Sequence, residues 1–327
     1  MKNSWSRRFG VGALAASVLV SVLVTASGEI GGTLTAAAST SKTGCAISPP
    51  RNATLSVTVN GFKRTILVHR PKGEYATPLP LVLNLHGSGS TALEQEEFTG
   101  MNKTANADNF IVAYPQALIP DGSGFDWNVP GVPLVGGRAV PSGAANDVSF
   151  LTSLVGILEA KYCIDQQRVY ATGFSGGARE VSELACVDSK IFAAVAPVSG
   201  LRRPTPCPSA RAMPVISFHG SADPIDPFAG HGQKYWTYSV TKAAKYWSSQ
   251  DKCTKETSSA SIKDVTLTVY DSCAGGAKVE LYEIAGEGHE WPGGPTLPSA
   301  FTSLLGPQSN AVSADSVIWS FFSSYQL

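Results

Sequence analysis

The segment Thr172–Ala178, Thr-Gly-Phe-Ser-Gly-Gly-Ala, contains the residue best suited to nucleophilic chemistry, Ser175. An apolar β-type run at 168–171 precedes it, and a segment with helical character follows. Gly-x-Ser-x-Gly between a strand and a helix predicts a sharp, strained turn that exposes the serine, and the glycines leave room for that turn. The five-residue motif alone occurs by chance. Its strand–turn–helix context makes Ser175 the candidate nucleophile.

A serine hydroxyl needs a base to take its proton, and the chain has five histidines. With a serine in this type of turn, the chain order is Ser, then Asp or Glu, then His, so the base should follow Ser175. We predict His289, which lies in a glycine-rich loop directly after the strand-like run 279–284. His231 is the alternative, although no strand leads directly into its loop.

The acid that orients the histidine should follow a strand between these two residues. The apolar run 213–218 leads into a loop that contains both Asp223 and Asp226. We favour Asp223 as the acceptor of the imidazole Nδ1–H, because it lies nearer the strand end, where position is better defined. An ordinary turn aspartate is the alternative, since Asp-Pro pairs commonly begin turns.

Two backbone amides are expected to stabilise the oxyanion that forms when Ser175 attacks a carbonyl. One is the amide of Gly176, directly after the nucleophile. The other should come from the glycine-containing segment after the apolar strand 80–85. We assign it to Ser88, with Gly89 as the alternative.

The remaining histidines and the cysteines do not predict a metal site. His86 and His219 each precede a glycine at a strand end, and we expect them to be structural hydrogen-bonding residues. The pair His289-Glu290 lacks the second histidine of a His-Glu-x-x-His zinc motif, and no two cysteines have the close Cys-x-x-Cys spacing. We therefore predict no metal and no cofactor.

The pattern of elements predicts how these residues are brought together. Two alternating runs, 54–59 and 64–69, flank Asn60-Gly61, which is a hairpin signal. Strand-like runs then alternate with helical patterning, which predicts a mostly parallel central sheet with helices on both faces. Ligands of such sheets bind beyond the carboxyl ends of the strands. The residues expected there are Ser88, Ser175, Asp223 and His289.

Two tryptophans are candidates for substrate binding. Trp127 lies in the Gly- and Pro-rich stretch 117–145, and Trp291 follows the predicted base by two residues. We predict that they line an aromatic or sugar-facing cleft, with ordinary packing as the alternative for each.

The N-terminal segment predicts export rather than fold. Basic residues precede an apolar run at 11–24, which indicates a signal peptide over 1–26, with cleavage as late as 38. The run is too short to favour a membrane span. We expect residues 45–327 to form one catalytic domain of a secreted protein. With 25 basic and 25 acidic residues the formal net charge is zero, which argues against nucleic acid and membrane as partners.

Four segments together resemble a known group of secreted esterases, the feruloyl esterases, acetylxylan esterases and polyhydroxybutyrate depolymerases. They are His86–Gly89, Gly173–Ala178, His219–Asp223 and Gly288–Gly294, and the resemblance extends over roughly Cys45 to Leu327. It implies an α/β-hydrolase fold and ester hydrolysis by Ser175, His289 and Asp223 through an acyl-enzyme. The substrate it implies is a polymer-linked ester, with feruloyl esters of plant cell walls favoured and acetylxylan or polyhydroxybutyrate as alternatives. A non-catalytic binding protein on the same scaffold is the alternative of a different class.

The chain departs from that group at three positions. Glu287 and Glu290 stand where the group has glycine and threonine, and Arg179 stands where it tends to have methionine. A carboxylate beside His289 favours the imidazolium, which predicts an alkaline optimum. The sequence gives no role for Arg179 and no oligomeric state.

Six cysteines in an exported chain predict three disulfides, for which fifteen pairings exist. We predict Cys45–Cys163, Cys186–Cys207 and Cys253–Cys273. The resemblance favours the last of these most.

Overall fold

The computed structural model describes residues 49–73, 77–296 and 299–327. The predicted signal segment 1–26, the later cleavage position and Cys45 lie outside these ranges. The proposed start of the domain and the Cys45–Cys163 pair therefore stay predictions. Within the described ranges, no helix has the length and apolar character needed to cross a membrane.

A ten-stranded sheet runs through the domain in the order β1-β2-β4-β3-β7-β8-β9-β12-β11-β10. The six inner strands, from β4 to β12, are parallel, and an antiparallel pair continues the sheet on each side. A separate small hairpin is formed by β5 and β6. The strands are β1 (Asn52–Val59), β2 (Phe62–His69), β3 (Leu79–Leu85), β4 (Ile111–Pro115), β5 (Ile119–Asp121), β6 (Gly124–Asp126), β7 (Ile164–Phe174), β8 (Ala194–Val198), β9 (Val215–Gly220), β10 (Lys255–Ile262), β11 (Val265–Asp271) and β12 (Val279–Ile284).

Helices cover both faces of the sheet, and each face has its own hydrophobic cluster. Side chains of β3 alternate between the clusters, with Leu81 and Leu83 in one and Val82 in the other. Helices α3, α4 and α5 pack on the first face, and α1, α2 and α7 pack on the second. The helices are α1 (Ala92–Thr99), α2 (Met101–Asp108), α3 (Asp147–Lys161), α4 (Gly176–Val187), α5 (Val240–Gln250), α6 (Ser299–Leu305) and α7 (Ala314–Phe322).

The inner strands end together, and this sets the place of the site. Leu85 pairs with Gly173, Phe174 with Val198, and Val198 with Phe218, while Ile284 pairs with Gly220. The loops that follow β3, β7, β9 and β12 therefore leave the sheet at one edge. This is the carboxyl edge at which ligands of parallel sheets bind.

The predicted hairpin turn is confirmed, and the structure also shows a helix cap and two of the expected disulfides. Asn60 and Gly61 both adopt positive φ, at 50° and 82°, as the tight turn between β1 and β2 requires. The Asn146 side chain caps α3 by accepting the amide hydrogen of Ser149. The disulfides Cys186–Cys207 and Cys253–Cys273 are both formed.

Candidate active site

Ser175 lies in the turn that joins β7 to α4, in a strained conformation. Its φ of 51° and ψ of −112° are rare for a residue with a side chain. Its amide donates to the Val198 carbonyl at 3.0 Å, which fixes the turn to the neighbouring strand. The residue is 7% exposed.

The glycines around Ser175 are required by close backbone approach. A Cβ atom at Gly177 would lie 2.5 Å from the Leu85 carbonyl oxygen and 2.6 Å from that of His86. A Cβ atom at Gly173 would lie 2.8 Å from the Gly177 carbonyl carbon. Helix α4 therefore starts directly against the end of β3, which brings Ser175 close to the loop that follows β3.

We expect Gly177→Ala to lower the free energy of unfolding by about 1–3 kcal/mol, because the new methyl group forces α4 away from β3. The matched control is Gly156→Ala in α3, where a Cβ atom would meet nothing within 4 Å. That variant should gain about 0.5–1 kcal/mol, since alanine favours the helix over glycine. Urea unfolding followed by circular dichroism measures both. Equal stabilities of the two variants would contradict the close approach at Gly177.

The structure brings the predicted base and acid together. The His289 Nδ1 atom lies 2.7 Å from Asp223 Oδ2. The ring of Phe174, directly before Ser175, contacts the His289 imidazole with 4.8 Å between ring centroids. The loops that carry the two residues are also joined, since the Ala222 amide donates to the Glu287 carbonyl at 2.9 Å.

Asp223 is held by more donors than the sequence predicted. Its Oδ1 accepts the amide hydrogens of Ile225 and Asp226, each at 2.8 Å. Its Oδ2 faces His289 and also His219 Nε2, at 3.1 Å. Burial by itself would raise the pKa of Asp223, but hydrogen bonds from His219 and His289 hold it well below its usual range. Asp223 is therefore an anion that accepts from both imidazoles.

The two alternatives from the sequence have other surroundings. His231 is exposed. The Asp226 side chain forms an ion pair with Arg179, at 2.8 Å between Oδ2 and Nη1.

Ser88 and Gly176, the predicted oxyanion donors, are neighbours in space. A Cβ atom at Gly176 would lie 3.0 Å from the Ser88 amide nitrogen, so glycine is needed for the two backbones to meet. A Cβ atom at Gly87 would lie 3.5 Å from the Ser175 Cβ atom. The two amides and Ser175 thus share one small region, and their assignment as oxyanion donors stays a prediction.

His86 has a structural environment, as predicted. Its Nδ1 lies 2.7 Å from the Gly87 carbonyl, and its Nε2 lies 3.1 Å from the Ala117 amide. Because a carbonyl accepts and an amide donates, the proton is on Nδ1. Burial lowers the pKa of His86 to about 4, so the ring is neutral near pH 7.

The prediction that two tryptophans line a cleft is wrong. Trp127 is 2% exposed and donates from Nε1 to the His86 carbonyl at 2.7 Å. Trp291 is 0% exposed and donates from Nε1 to Asp315 Oδ1 at 2.9 Å. Each indole N–H has an acceptor inside the fold, so both tryptophans belong to the packed interior.

Glu287 and Glu290 flank His289 in sequence and are both buried. Burial raises the pKa of Glu287 to about 8 and that of Glu290 to about 7. The Glu290 carboxyl therefore ionises at a higher pH than an exposed glutamate does, and the alkaline optimum stays a prediction.

We expect Glu287 to make the folded state less stable as the pH rises. A raised pKa means that the folded chain keeps a proton that the unfolded chain releases above about pH 4. The stability that the protonated Glu287 carboxyl contributes to the folded state is therefore lost as the pH rises through about 8. Glu287→Gln should therefore be more stable than wild type at pH 9, by on the order of 1–3 kcal/mol, with a smaller difference at pH 5. Thermal unfolding at both pH values tests this, with exposed Glu97→Gln as the control. A difference that does not change with pH would contradict the assignment.

Solved structures identify the fold of this protein. Two solved structures share the fold. A thermostable esterase has a TM-score of 0.54 at 15% identity, and the match covers 85% of this chain and 64% of that one. The acetyl xylan esterase from Aspergillus awamori has a TM-score of 0.55 at 17% identity, and the match covers 77% of this chain and 98% of that one. The fold is the α/β-hydrolase fold.

The family follows from the sequence comparison. The model of the family "Esterase PHB depolymerase" matches residues 65–231, about half of the chain. The chain belongs to this family, and it is an esterase, a carboxylic-ester hydrolase.

Relatives with names of several kinds match the chain. A protein of Nocardia uniformis subsp. tsuyamanensis named "Putative esterase NocK" is 30% identical over 266 residues, 74% of each chain. Feruloyl esterase B of Piromyces equi is 28% identical over 243 residues, 69% of this chain and 42% of that protein. Poly(3-hydroxyalkanoate) depolymerase C of Paucimonas lemoignei is 34% identical over 134 residues, 40% of this chain and 30% of that protein. The chain thus spans less than half the length of the last two.

Proposed function

We propose that the chain is a secreted serine esterase that hydrolyses polymer-linked esters through Ser175, His289 and Asp223, with feruloyl esters of plant cell-wall polysaccharides as the favoured substrate. The observation that carries the proposal is the 2.7 Å contact between His289 Nδ1 and Asp223 Oδ2, at the sheet edge where Ser175 also lies. An Nδ1–H that donates to Asp223 leaves Nε2 free to accept the proton of Ser175.

The reaction proceeds in two halves. Ser175 Oγ attacks the ester carbonyl while His289 Nε2 takes its proton, and the amides of Ser88 and Gly176 stabilise the oxyanion. The tetrahedral intermediate collapses to an acyl-enzyme as His289 protonates the leaving alcohol. Water, deprotonated by His289, then attacks the acyl group, and the acid leaves as Ser175 regains its proton.

Export is supported by the N-terminal sequence and by the disulfides. A basic segment and a short apolar run are typical of a secretory signal. The bonds Cys186–Cys207 and Cys253–Cys273 fit a protein that folds in an oxidising compartment.

The substrate proposal rests on the relatives named feruloyl esterase, such as that of Piromyces equi, which matches over 243 residues. A second candidate substrate, polyhydroxybutyrate, is favoured by the description of the family itself and by the depolymerase of Paucimonas lemoignei.

A panel of three substrates tests the proposal: methyl ferulate, acetylated xylan and a polyhydroxybutyrate film. We expect the highest kcat/KM on methyl ferulate, with release of ferulate measured by chromatography and Ser175→Ala as the blank. Faster release of hydroxybutyrate from the film would overturn the feruloyl assignment in favour of the second candidate. No hydrolysis of any ester would favour a binding protein on this scaffold.

A further inference from the structure

Arg179, one turn after Ser175 on α4, is buried between the two halves of the candidate site. Its Nη1 lies 2.8 Å from Asp226 Oδ2, and these two side chains are 5% and 0% exposed. Its Nη2 lies 3.5 Å from Ser88 Oγ. The guanidinium also lies over the Tyr235 ring, 4.4 Å from the centroid. One side chain thus contacts the loop of the predicted acid and the loop of the predicted oxyanion donor.

On the acid side, Asp226 is connected directly to Asp223. The Asp226 amide donates to Asp223 Oδ1 at 2.8 Å. The Asp226 carbonyl lies 2.7 Å from His219 Nε2, the same atom that faces Asp223 Oδ2. A displacement of Asp226 would therefore move two of the contacts that hold Asp223.

On the oxyanion side, Ser88 lies between two charged groups. Arg179 approaches its hydroxyl from one side. Asp126 follows Phe125, which pairs with Ser90 of the same loop as Ser88, and the Ser88 side chain lowers the pKa of Asp126 against the larger effect of burial. Asp126 is fixed in turn by Arg138, at 2.7 Å. The Ser88 backbone itself lies against Gly176, where a Cβ atom would be 3.0 Å from the Ser88 amide nitrogen.

We propose that Arg179 is a positioning residue that couples the oxyanion loop to the acid loop, so that the Ser88 amide and Asp223 are held in register with Ser175. The inference rests on the proposed roles of Ser175, His289 and Asp223. The planar guanidinium can reach Asp226 and Ser88 from one position, which a lysine ammonium cannot do. Its removal leaves Asp226 as a buried carboxylate without its cation.

The first experiment compares Arg179→Met with Arg202→Met on a p-nitrophenyl ester. Arg202 forms a similar ion pair with Glu183 of α4, at 2.7 Å, on the side of α4 that carries Glu183 rather than Ser175. We expect Arg179→Met to lower kcat by about 10–100-fold with KM changed less than about threefold, because small misplacements of reacting groups cost rate rather than binding. Arg202→Met should keep kcat within about threefold. Values of kcat are referred to active sites titrated with a phosphonate, which removes any unfolded fraction.

The second experiment measures the coupling between the two loops by a double-mutant cycle of Ser88→Ala and Asp226→Asn. Ser88→Ala keeps the backbone amide. With Arg179 present, the fold-change in kcat of the double variant should differ from the product of the two single fold-changes by about threefold or more. In the Arg179→Met background it should equal that product. Arg179→Lys replaces Arg179→Met in both experiments if the methionine variant does not fold.

Two results would overturn the inference: a kcat for the Arg179 variant equal to that of Arg202→Met, or a coupling that persists without Arg179. Either result with an inactive Ser175→Ala would leave the proposed function intact. An active Ser175→Ala would refute the proposed function itself.

Discussion

Ser175→Ala will lower kcat on a p-nitrophenyl ester by about 10⁴–10⁶-fold, the range found when a serine nucleophile is removed. The physical reason is that no other group can form the acyl-enzyme, so only general stabilisation by the surrounding amides remains. The strained φ of 51° at this position also suits a residue kept for chemistry rather than for stability. Fixed-time assays with enzyme at micromolar concentration can measure rates over this range of kcat.

The control for this prediction is Ser182→Ala on the same helix. The Ser182 hydroxyl is buried and donates to the Ala178 carbonyl at 2.9 Å. Its loss should change kcat by less than about threefold while costing about 1 kcal/mol of stability. If Ser175→Ala retained more than a tenth of the wild-type rate, Ser175 could not be the nucleophile.

Asp223→Asn will lower kcat by about 10³–10⁴-fold. The carboxylate accepts at Oδ2 from His289, and it favours the tautomer in which Nδ1 carries the proton. An amide can turn its NH₂ group towards His289, which favours the opposite tautomer and leaves Nε2 protonated and unable to act as a base. The residual rate should rise with pH, because hydroxide can then replace the missing base.

Asp251→Asn is the matched control at the other end of β9. Asp251 is also buried, and its Oδ1 accepts the Met213 amide at 3.0 Å. Burial raises its pKa to about 7, so an asparagine resembles the neutral form already present near that pH. Its kcat should stay within about threefold of wild type. Equal losses in the two variants would mean that a general structural effect, and not the orientation of His289, explains the loss at Asp223.

The frame of the site could be predicted because it depends on local patterns. The strands β3, β7, β9 and β12 each lead into a segment that contains glycine, and the ends of parallel strands meet by geometry alone. The order Ser175, Asp223, His289 therefore sufficed to predict that Asp223 and His289 would meet. Gly173 and Gly177 were predictable for the same reason, since the sharp turn at Ser175 requires them.

What could not be predicted depends on contacts between distant parts of the chain. Trp127 and Trp291 are of the residue type that lines sugar-facing clefts. Their acceptors, the His86 carbonyl and Asp315, show that they are internal. The partner of Arg179, Asp226, lies 47 residues away. Neither relationship leaves a periodic signal in the sequence.

Strand β10 was also missed, and for a different reason. All eight of its residues are exposed, so it has no alternation of apolar and polar residues. It forms by pairing with β11. The Cys253–Cys273 bond joins the chain just before β10 to the chain just after β11 and so closes the base of this hairpin.

This hairpin has a consequence for the behaviour of the protein at high concentration. Inner parallel strands are apolar, and an open border beside them would template pairing with a second molecule. The last strand on this side instead presents Lys255, Glu256 and a run of hydroxyl side chains to water. Charged and hydroxylated edge strands disfavour the addition of a strand from another molecule. We therefore expect concentrated solutions to resist fibrillar association as long as the Cys253–Cys273 bond is intact.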